Sequence, residues 1–353
     1  MPITQSHFGN DTHGNDVLRY RLDGTSGLSA EIMTHGATLI ALRTPDRHGT
    51  LADVTLGFAT LEPYLGLHPF FGSTVGRYAN RIAGGSFTLN GIHYQLACNH
   101  GTNHLHGGQG GFHTRAWSAR IHADGDEPAV ELSYTSPAGE EGYPGTLHVS
   151  VTYTVTHRNE LRIDYHAESD APTILNLTNH AYFNLAGRGS ILDHEVELRA
   201  AAFLPTDAGS IPLGAPQPVA GTPMDFTTPQ TIGARIDVAD EQLRIGKGYD
   251  HCWILDKPAG ALALAARVAD PKSGRIMEVE TTEPGVQFYT ANQLDGQFVG
   301  RDGLVYQPRA GLCLETQHLP DSPNRPEYPS TVLRPGESYR QTTIYRFLIA
   351  ENG

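Results

Sequence analysis

The run Leu147-His-Val-Ser-Val-Thr-Tyr-Thr-Val155 alternates apolar and polar side chains without a break. A turn at Arg158-Asn159 follows it, and Leu161-Arg-Ile-Asp-Tyr165 then resumes the alternation. A period of two with β-branched and aromatic residues is typical of a strand with one buried face. Two such runs joined by a short turn predict a β-hairpin. This hairpin is the clearest sign that the chain has a β fold.

Strand-like runs recur along the chain between its 39 glycines and 23 prolines. We predict further strands in seven segments: Glu31–Leu42, Ser86–Leu96, Val130–Tyr134, His194–Leu198, Ile276–Thr281, Val286–Thr290 and Thr342–Leu348. Helical periodicity is clearest in two short segments, Ala59–Leu65 and Ile236–Leu243. Many short strands with Gly and Pro turns indicate an all-β sandwich or barrel rather than alternating helices and strands.

The 353 residues can bury a large core without a disulfide or a structural metal. All-β folds often form one domain at this length, and no low-complexity linker divides the chain. The Pro/Gly/Thr-rich segment from Pro205 to Pro229 is either a domain boundary or a long surface loop, and we favour the loop. We therefore predict a single domain over residues 1–353.

Composition argues against several classes of partner. The net charge of −13 disfavours nucleic acid and anionic membranes. Three cysteines without Cys-x-x-Cys spacing disfavour a disulfide framework and a structural zinc. Met1–Tyr20 lacks the apolar stretch of a signal peptide, and the longest Ala/Leu run, Ala261–Ala266, is too short to cross a bilayer. We expect a soluble cytoplasmic protein.

A single carboxylate lies in the short apolar run Gly311-Leu-Cys-Leu-Glu315-Thr-Gln317. The alternation predicts a strand with two unlike faces, and Cys313, Glu315 and Gln317 share one of them. No Lys or Arg lies between 310 and 324. A carboxylate without a local cation tends towards a raised pKa, which suits proton transfer. A rim glutamate satisfied by water explains this segment equally well.

The segment Leu175-Asn-Leu-Thr-Asn179-His180-Ala-Tyr-Phe-Asn184-Leu185 favours the first interpretation of Glu315. It places three amides, a histidine and two aromatic residues within eleven positions. A carboxylate and a histidine, with amides that orient a polar ligand, form an acid–base site for a hydroxylated substrate. We predict that Glu315 and His180 belong to one such site.

Five histidines crowd one region of the chain: His93, His100, His104, His106 and His113. The His104-Leu-His106 spacing can place two imidazoles on one face of a strand, and this is a known zinc-ligand spacing. Gly107-Gly108 follow at once and favour a turn that approaches a ligand closely. No obvious third ligand shares the segment. We predict no metal site here, with zinc as the alternative.

Three other segments carry groups that suit a polyhydroxylated ligand. Gly76-Arg77-Tyr-Ala-Asn80-Arg81-Ile82 contains two arginines, whose forks of donors fit sugar oxygens and carboxylates. Asp250 lies close to tyrosine and tryptophan, a common setting for sugar binding, and Gln287 lies on a predicted strand. Surface turns with solvated side chains are the alternative for each segment. Neither Gly-x-Gly-x-x-Gly nor Gly-x-Ser-x-Gly occurs, so a nucleotide site and a serine-hydrolase elbow lack support.

Taken together, these segments resemble the aldose 1-epimerase (galactose mutarotase) family. The resemblance runs from Ile32 to Gly336 and so covers essentially the whole chain. Its most specific pieces are Asn80-Arg81-Ile82, Leu105-His106-Gly-Gly108, Thr178-Asn-His180-Ala-Tyr-Phe-Asn-Leu185, Pro284-Gly-Val-Gln287-Phe-Tyr-Thr290 and Leu314-Glu315-Thr-Gln317. Their shared order along the chain makes the resemblance specific.

The resemblance implies a large twisted antiparallel β-sandwich with few short helices, and an enzyme that needs no cofactor. It also implies interconversion of the α and β anomers of free aldohexoses such as galactose and glucose. Glu315 matches the general base, His180 the general acid and His106 a second active-site histidine. Four residues match sugar-binding positions: Asn80, Arg81, Asp250 and Gln287.

The family pattern is not followed at Ala181, where members often carry Ser or Thr, but this position transfers no proton. We expect a monomer or weak homodimer that binds a monosaccharide. We also expect a bell-shaped pH profile, with the acidic limb set by Glu315 and the alkaline limb by His180.

Three other functions are weighed against the mutarotase. A glycosidase would use two carboxylates, for which Asp250 with Glu315 is the candidate pair. A non-catalytic sugar-binding module would not need both Glu315 and His180. A sugar-phosphate epimerase would need a cationic pocket, for which Arg77 with Arg81 is the local hint.

Overall fold

The predicted hairpin is present in the structure, a computed structural model that describes residues 3–122 and 127–350. Its strands are Leu147–Thr156 and Glu160–Ser169. Alternate side chains of both strands are buried, and residues such as Val151 and Tyr165 lie opposite each other. The prediction from period-two alternation is therefore confirmed in detail.

An N-terminal meander forms the first sheet. Its strands, paired in chain order, are β1 (Ile3–Asn10), β2 (Asp16–Asp23), β3 (Ser29–Met33), β4 (Thr38–Pro45) and β5 (Leu51–Asp53). The predicted run Glu31–Leu42 is thus two strands, because Gly36 and Ala37 both have positive φ and reverse the chain. A one-turn helix, α1 (Glu62–Leu65), follows.

Short strands come next: β6 (Thr74–Val75), β7 (Arg81–Ile82), β8 (Ser86–Leu89), β9 (Ile92–Gln95) and β10 (His104–Leu105). The predicted run Ser86–Leu96 is also divided, since Asn90-Gly91 forms a hairpin turn with positive φ at both residues. β7 pairs with β10, which brings Arg81 opposite Leu105 and places His106 at the strand end.

The remaining elements include the strands of two larger sheets. In chain order they are β11 (Ser118–His122), β12 (Ala129–Ser136), β13 (Leu147–Thr156), β14 (Glu160–Ser169), β15 (Thr173–Ile174), β16 (Thr178–Asn179), β17 (Glu195–Leu198), β18 (Ala202–Leu204), β19 (Gln217–Pro218), β20 (Gln230–Thr231), α2 (Glu241–Gly246), β21 (Asp250–Ile254), β22 (Ala263–Ala269), β23 (Arg275–Thr281), β24 (Gly285–Tyr289), β25 (Cys313–Gln317), β26 (Val332–Leu333) and β27 (Tyr339–Ile349). α2 begins after Asp240, whose carboxylate accepts from the Gln242 and Leu243 amides.

The larger sheet has nine strands in the order β11-β12-β13-β14-β27-β23-β22-β17-β20. The other has five, in the order β19-β18-β21-β24-β25. All neighbours in both sheets are antiparallel. The described residues contain two α-helices, of four and six residues, and with them this arrangement confirms the predicted all-β class with few short helices.

One hydrophobic core joins the three sheets, with buried side chains from Tyr20 to Phe347. The five-stranded sheet of β25 rests on β27, where the hydroxyls of Thr316 and Thr343 lie 2.6 Å apart. The predicted loop from Pro205 to Pro229 also contributes to this core, through Val219, Met224 and Phe226. The single domain over residues 1–353 stays a prediction, which this shared core supports. No helix within the described residues is both long and apolar enough to cross a membrane.

Candidate active site

β25 presents Glu315 from the interior of the fold, with Cys313 and Gln317 on the same face. All five residues of this strand are buried. The neighbouring strand β24 places Gln287 directly opposite Glu315. On the next strand, β21, Asp250 accepts a 2.7 Å hydrogen bond from the Gln287 amide. The antiparallel register therefore sets a carboxylate, an amide and a second carboxylate side by side.

His180 reaches Glu315 from a different part of the chain. It follows β16, and its backbone N–H donates to the Ser73 carbonyl while its carbonyl accepts from the Gly72 N–H, both at 3.0 Å. These bonds hold the imidazole with Nε2 3.6 Å from Glu315 Oε1. Both side chains are buried, at 5% and 3% exposure. The result is a carboxylate–imidazole pair that is largely shielded from bulk water.

His106 lies against His180, with ring centroids 5.2 Å apart. Its Nδ1 accepts a 3.2 Å hydrogen bond from the backbone N–H of Asn80. Since Nδ1 is an acceptor, the proton of the neutral imidazole is on Nε2. His106 therefore offers a fixed N–H donor, and Asn80 orients it.

Arg81 is the first residue of β7, directly after Asn80, and is buried. Its Nε has no hydrogen-bond partner among the described residues. The same is true of Gln287 Oε1, Glu315 Oε2 and both amide atoms of Gln317. Buried polar atoms are nearly always paired in native proteins, so a cluster of unpaired donors and acceptors fits a small polar ligand.

Burial shapes the protonation of the pair. Burial, together with the negative charge of Asp250, raises the pKa of Glu315 to about 8, while Arg81 opposes the rise. Burial lowers the pKa of His180 to about 4. This order is the reverse of the one expected from the sequence, because desolvation disfavours the charged form of each group. Between these two values the pair holds one proton.

The zinc alternative of the sequence depends on His104, and the structure gives that residue another role. Its Nδ1–H donates to the Ala97 carbonyl at 2.7 Å, and its Nε2 accepts from the Tyr143 hydroxyl at 2.6 Å. Both nitrogens are therefore occupied within the fold. His104 and His106 do not form a pair of ligands.

A different set of possible metal ligands is present: the ligand atoms of His106, His180 and Glu315 all lie within 4.8 Å of one another. To bind a metal through Nε2, His106 would have to carry its proton on Nδ1. That proton would face the Asn80 N–H, and two donors would oppose each other. The donor set therefore fits a metal poorly and fits a hydrogen-bonding ligand well.

Arg77 does not contribute to a phosphate pocket. Its guanidinium is buried and donates to the Ser136 hydroxyl and to the carbonyls of Ser136, Pro137 and Pro144, at 2.8–2.9 Å. The predicted pair of Arg77 with Arg81 is therefore not formed as a free cationic site. This removes the local hint of a sugar-phosphate epimerase.

All seven residues named from the sequence lie in one connected group. Sequence reasoning placed Cys313 on the face of Glu315 by its spacing of two but gave it no role, and it missed Phe70. The Cys313 thiol lies 3.6 Å from His180 Nδ1. Phe70 packs on the histidines, and no spacing pattern in the sequence indicates this contact.

The fold and this group define a β-sandwich enzyme with a buried carboxylate–imidazole pair. Around this pair lie arginine, amide, carboxylate and aromatic side chains of the kinds that bind sugars. Comparison with protein families matches residues 19–346 to the aldose 1-epimerase model. The chain belongs to the aldose 1-epimerase family. This membership confirms the predicted enzyme class, an aldose 1-epimerase, or mutarotase, which is an isomerase.

Individual relatives agree with the family. Galactose mutarotase of Sus scrofa is 46% identical over 99% of this chain and 100% of its own length. Aldose 1-epimerase of Escherichia coli (strain K12) is 38% identical over 93% of this chain and 94% of its own length. A solved GalM/aldose epimerase homologue from C. elegans is 33% identical, with a TM-score of 0.87 over 94% of this chain and 98% of its own.

Proposed function

We propose that this protein interconverts the α and β anomers of free aldohexoses such as galactose and glucose, with Glu315 as base and His180 as acid. The observation that carries these roles is the 3.6 Å approach of His180 Nε2 to Glu315 Oε1 in a buried setting. Two groups so close can act on two oxygens of one sugar, the anomeric hydroxyl and the ring oxygen, which share the anomeric carbon.

The reaction follows from this placement. Glu315 takes the proton of the anomeric hydroxyl as C1–O1 becomes a carbonyl and the bond from C1 to the ring oxygen breaks. His180 gives its proton to that ring oxygen. After rotation about C1–C2, the new hydroxyl attacks the other carbonyl face, His180 regains its proton and Glu315 returns one to O1. Each positioned proton transfer contributes about a hundred- to ten-thousand-fold.

The neighbouring groups bind and polarise the sugar. His106 Nε2–H and the Arg81 guanidinium are donors for sugar oxygens, including negative charge that develops on them. The Asp250–Gln287 pair offers acceptors and donors to hydroxyl groups. Asn80 orients His106 through its backbone. Sugar hydroxyls that donate to Glu315 favour its carboxylate and so move the shared proton towards His180.

Polarimetry of freshly dissolved α-D-galactose and α-D-glucose tests the proposal. Wild-type protein should speed the change in optical rotation, and Glu315→Gln should lose about a hundred- to ten-thousand-fold of that rate. The variant should still bind methyl α-D-galactopyranoside, since an amide keeps the shape of the side chain. Glu283→Gln is the matched control, because Glu283 is a buried glutamate paired with another histidine, His318. A Glu315→Gln variant with most of the wild-type rate would remove Glu315 as the base.

A cytoplasmic location and a monomer or weak homodimer remain part of the proposal. Cys98, Cys252 and Cys313 are unpaired thiols, in keeping with a reducing compartment. Light scattering after size-exclusion chromatography would measure the oligomeric state directly.

A further inference from the structure

Phe70 lies at the active site in a backbone conformation that phenylalanine rarely adopts. Its φ is +59°, in the left-handed region. Two hydrogen bonds hold the segment there: the Ser73 N–H donates to the Phe70 carbonyl at 2.9 Å, and the Gly72 N–H donates to the backbone carbonyl of His180. A Cβ on Gly72 would lie 1.8 Å from the Leu39 carbonyl oxygen, so the segment passes close to Leu39 and only glycine fits at position 72. Unusual backbone held in this way is common at functional sites.

The ring of Phe70 packs on three histidines. Its centroid lies 4.8 Å from that of His106 and 4.6 Å from that of His113, both edge to face. It stacks on His180 at 5.7 Å with an interplanar angle of 26°. The aromatic ring is therefore in direct contact with both histidines of the proposed catalytic group.

Exposure distinguishes Phe70 from the other aromatic residues nearby. Tyr182 and Tyr289 also contact His180, and both are buried. Of the phenylalanine and tyrosine residues that contact His180 in the described part of the chain, Phe70 is the one that is only partly buried. A partly exposed aromatic residue beside polar groups suits a ligand with both hydroxyl groups and a C–H face, as a pyranose has.

We propose that Phe70 is a substrate-contacting residue that packs its ring against the C–H face of the pyranose and contributes to the choice of sugar. This inference deepens the proposed function and rests on it. Galactose and glucose differ in configuration at C4, so they present different C–H faces to one ring. A contact of this kind stabilises the bound sugar before and during the reaction alike, and it therefore acts mainly on KM.

The test compares Phe70→Leu, which keeps an apolar side chain, with Phe70→Tyr, which keeps the ring. Phe70→Leu should raise KM for galactose by about five- to tenfold with kcat within about threefold of wild type. Its KM ratio between galactose and glucose should change, while the pH limbs of kcat/KM stay in place. Phe70→Tyr should resemble wild type. Phe8→Ala is a control, because Phe8 is a partly exposed phenylalanine that contacts Arg19 instead.

A measurement without turnover keeps the proposal testable whatever the variants do to folding. Saturation-transfer NMR with wild type and methyl α-D-galactopyranoside should show the strongest transfer on C–H protons of one sugar face, and Phe70→Leu should weaken it. Uniform transfer over both faces would overturn the proposal. An unchanged KM in Phe70→Leu would also overturn the proposal. So would a lower kcat together with a shift of the pH limb assigned to His180, because Phe70 would then only position the histidines. Failure of the proposed function looks different: wild type would not speed mutarotation at all.

Discussion

The pH dependence of kcat/KM should be bell-shaped, with the alkaline limb set by Glu315 and the acidic limb by His180. The pKa of Glu315 is raised to about 8 and that of His180 is lowered to about 4. Between these values the pair carries the one proton that the reaction needs. Above the upper value the acid is missing, and below the lower value the base is missing.

The size of the effect follows from the proton count. Beyond each pKa, kcat/KM should fall about tenfold per pH unit, because one proton is lost or gained by the free enzyme. The plateau should therefore cover the range between the two limbs, with roughly one-tenth of its value left one unit above the upper pKa.

Charge variants give the sign of the shift. Asp250→Asn removes the negative charge that raises the pKa of Glu315, so it should move the alkaline limb down by about one pH unit. Arg81→Met removes the opposing positive charge and should move the same limb up. Under the proposed function both variants should also weaken sugar binding. The readout is therefore the position of the limb and not the height of the plateau.

Polarimetric initial rates at each pH, corrected for the spontaneous reaction, measure the limbs. Infrared difference spectra supply a check without substrate: a protonated carboxyl band should be present at neutral pH in wild type and absent in Glu315→Gln. An upward shift of the alkaline limb in Asp250→Asn would refute the reasoning. So would a Glu315 carboxylate that is fully ionised at neutral pH in the free enzyme.

Three further predictions concern metal, acid stability and Arg77. Exhaustive chelation should leave the rate unchanged, and stoichiometric zinc with loss of rate on its removal would contradict this. Burial lowers the pKa of His113 from 6.5 to about 3, so the unfolded chain binds more protons as the pH falls below about 6.5 and folding is weakened there. His113→Asn should therefore lose less stability than wild type between pH 7 and 5, by about 2 kcal/mol in urea unfolding. Arg77→Lys should destabilise the fold by about 2–4 kcal/mol without raising KM, because lysine cannot donate to all four acceptors of Arg77 at once. A raised KM with unchanged stability would instead place Arg77 at the substrate.

Much of the fold could be predicted from local sequence. Strict alternation in Leu147–Val155 required a half-buried strand, since a shift by one residue would expose every apolar side chain. Where prediction failed, the reason was equally local. The runs Glu31–Leu42 and Ser86–Leu96 each contain a turn of two positive-φ residues that apolar periodicity does not reveal.

The sequence by itself determined the β class, and through ordered motifs it indicated the family and the seven candidate residues of the site. Only the tertiary structure decided how those residues meet. Pairing of β7 with β10 sets His106 against the Asn80 N–H, which fixes the tautomer of His106, while His104 makes hydrogen bonds within the fold instead of at the site. Desolvation reversed the expected pKa order of Glu315 and His180. These contacts join segments that are distant in sequence: Asn80 and His106 are 26 residues apart, and His180 and Glu315 are more than a hundred apart. No local pattern of side chains encodes the dielectric around a group.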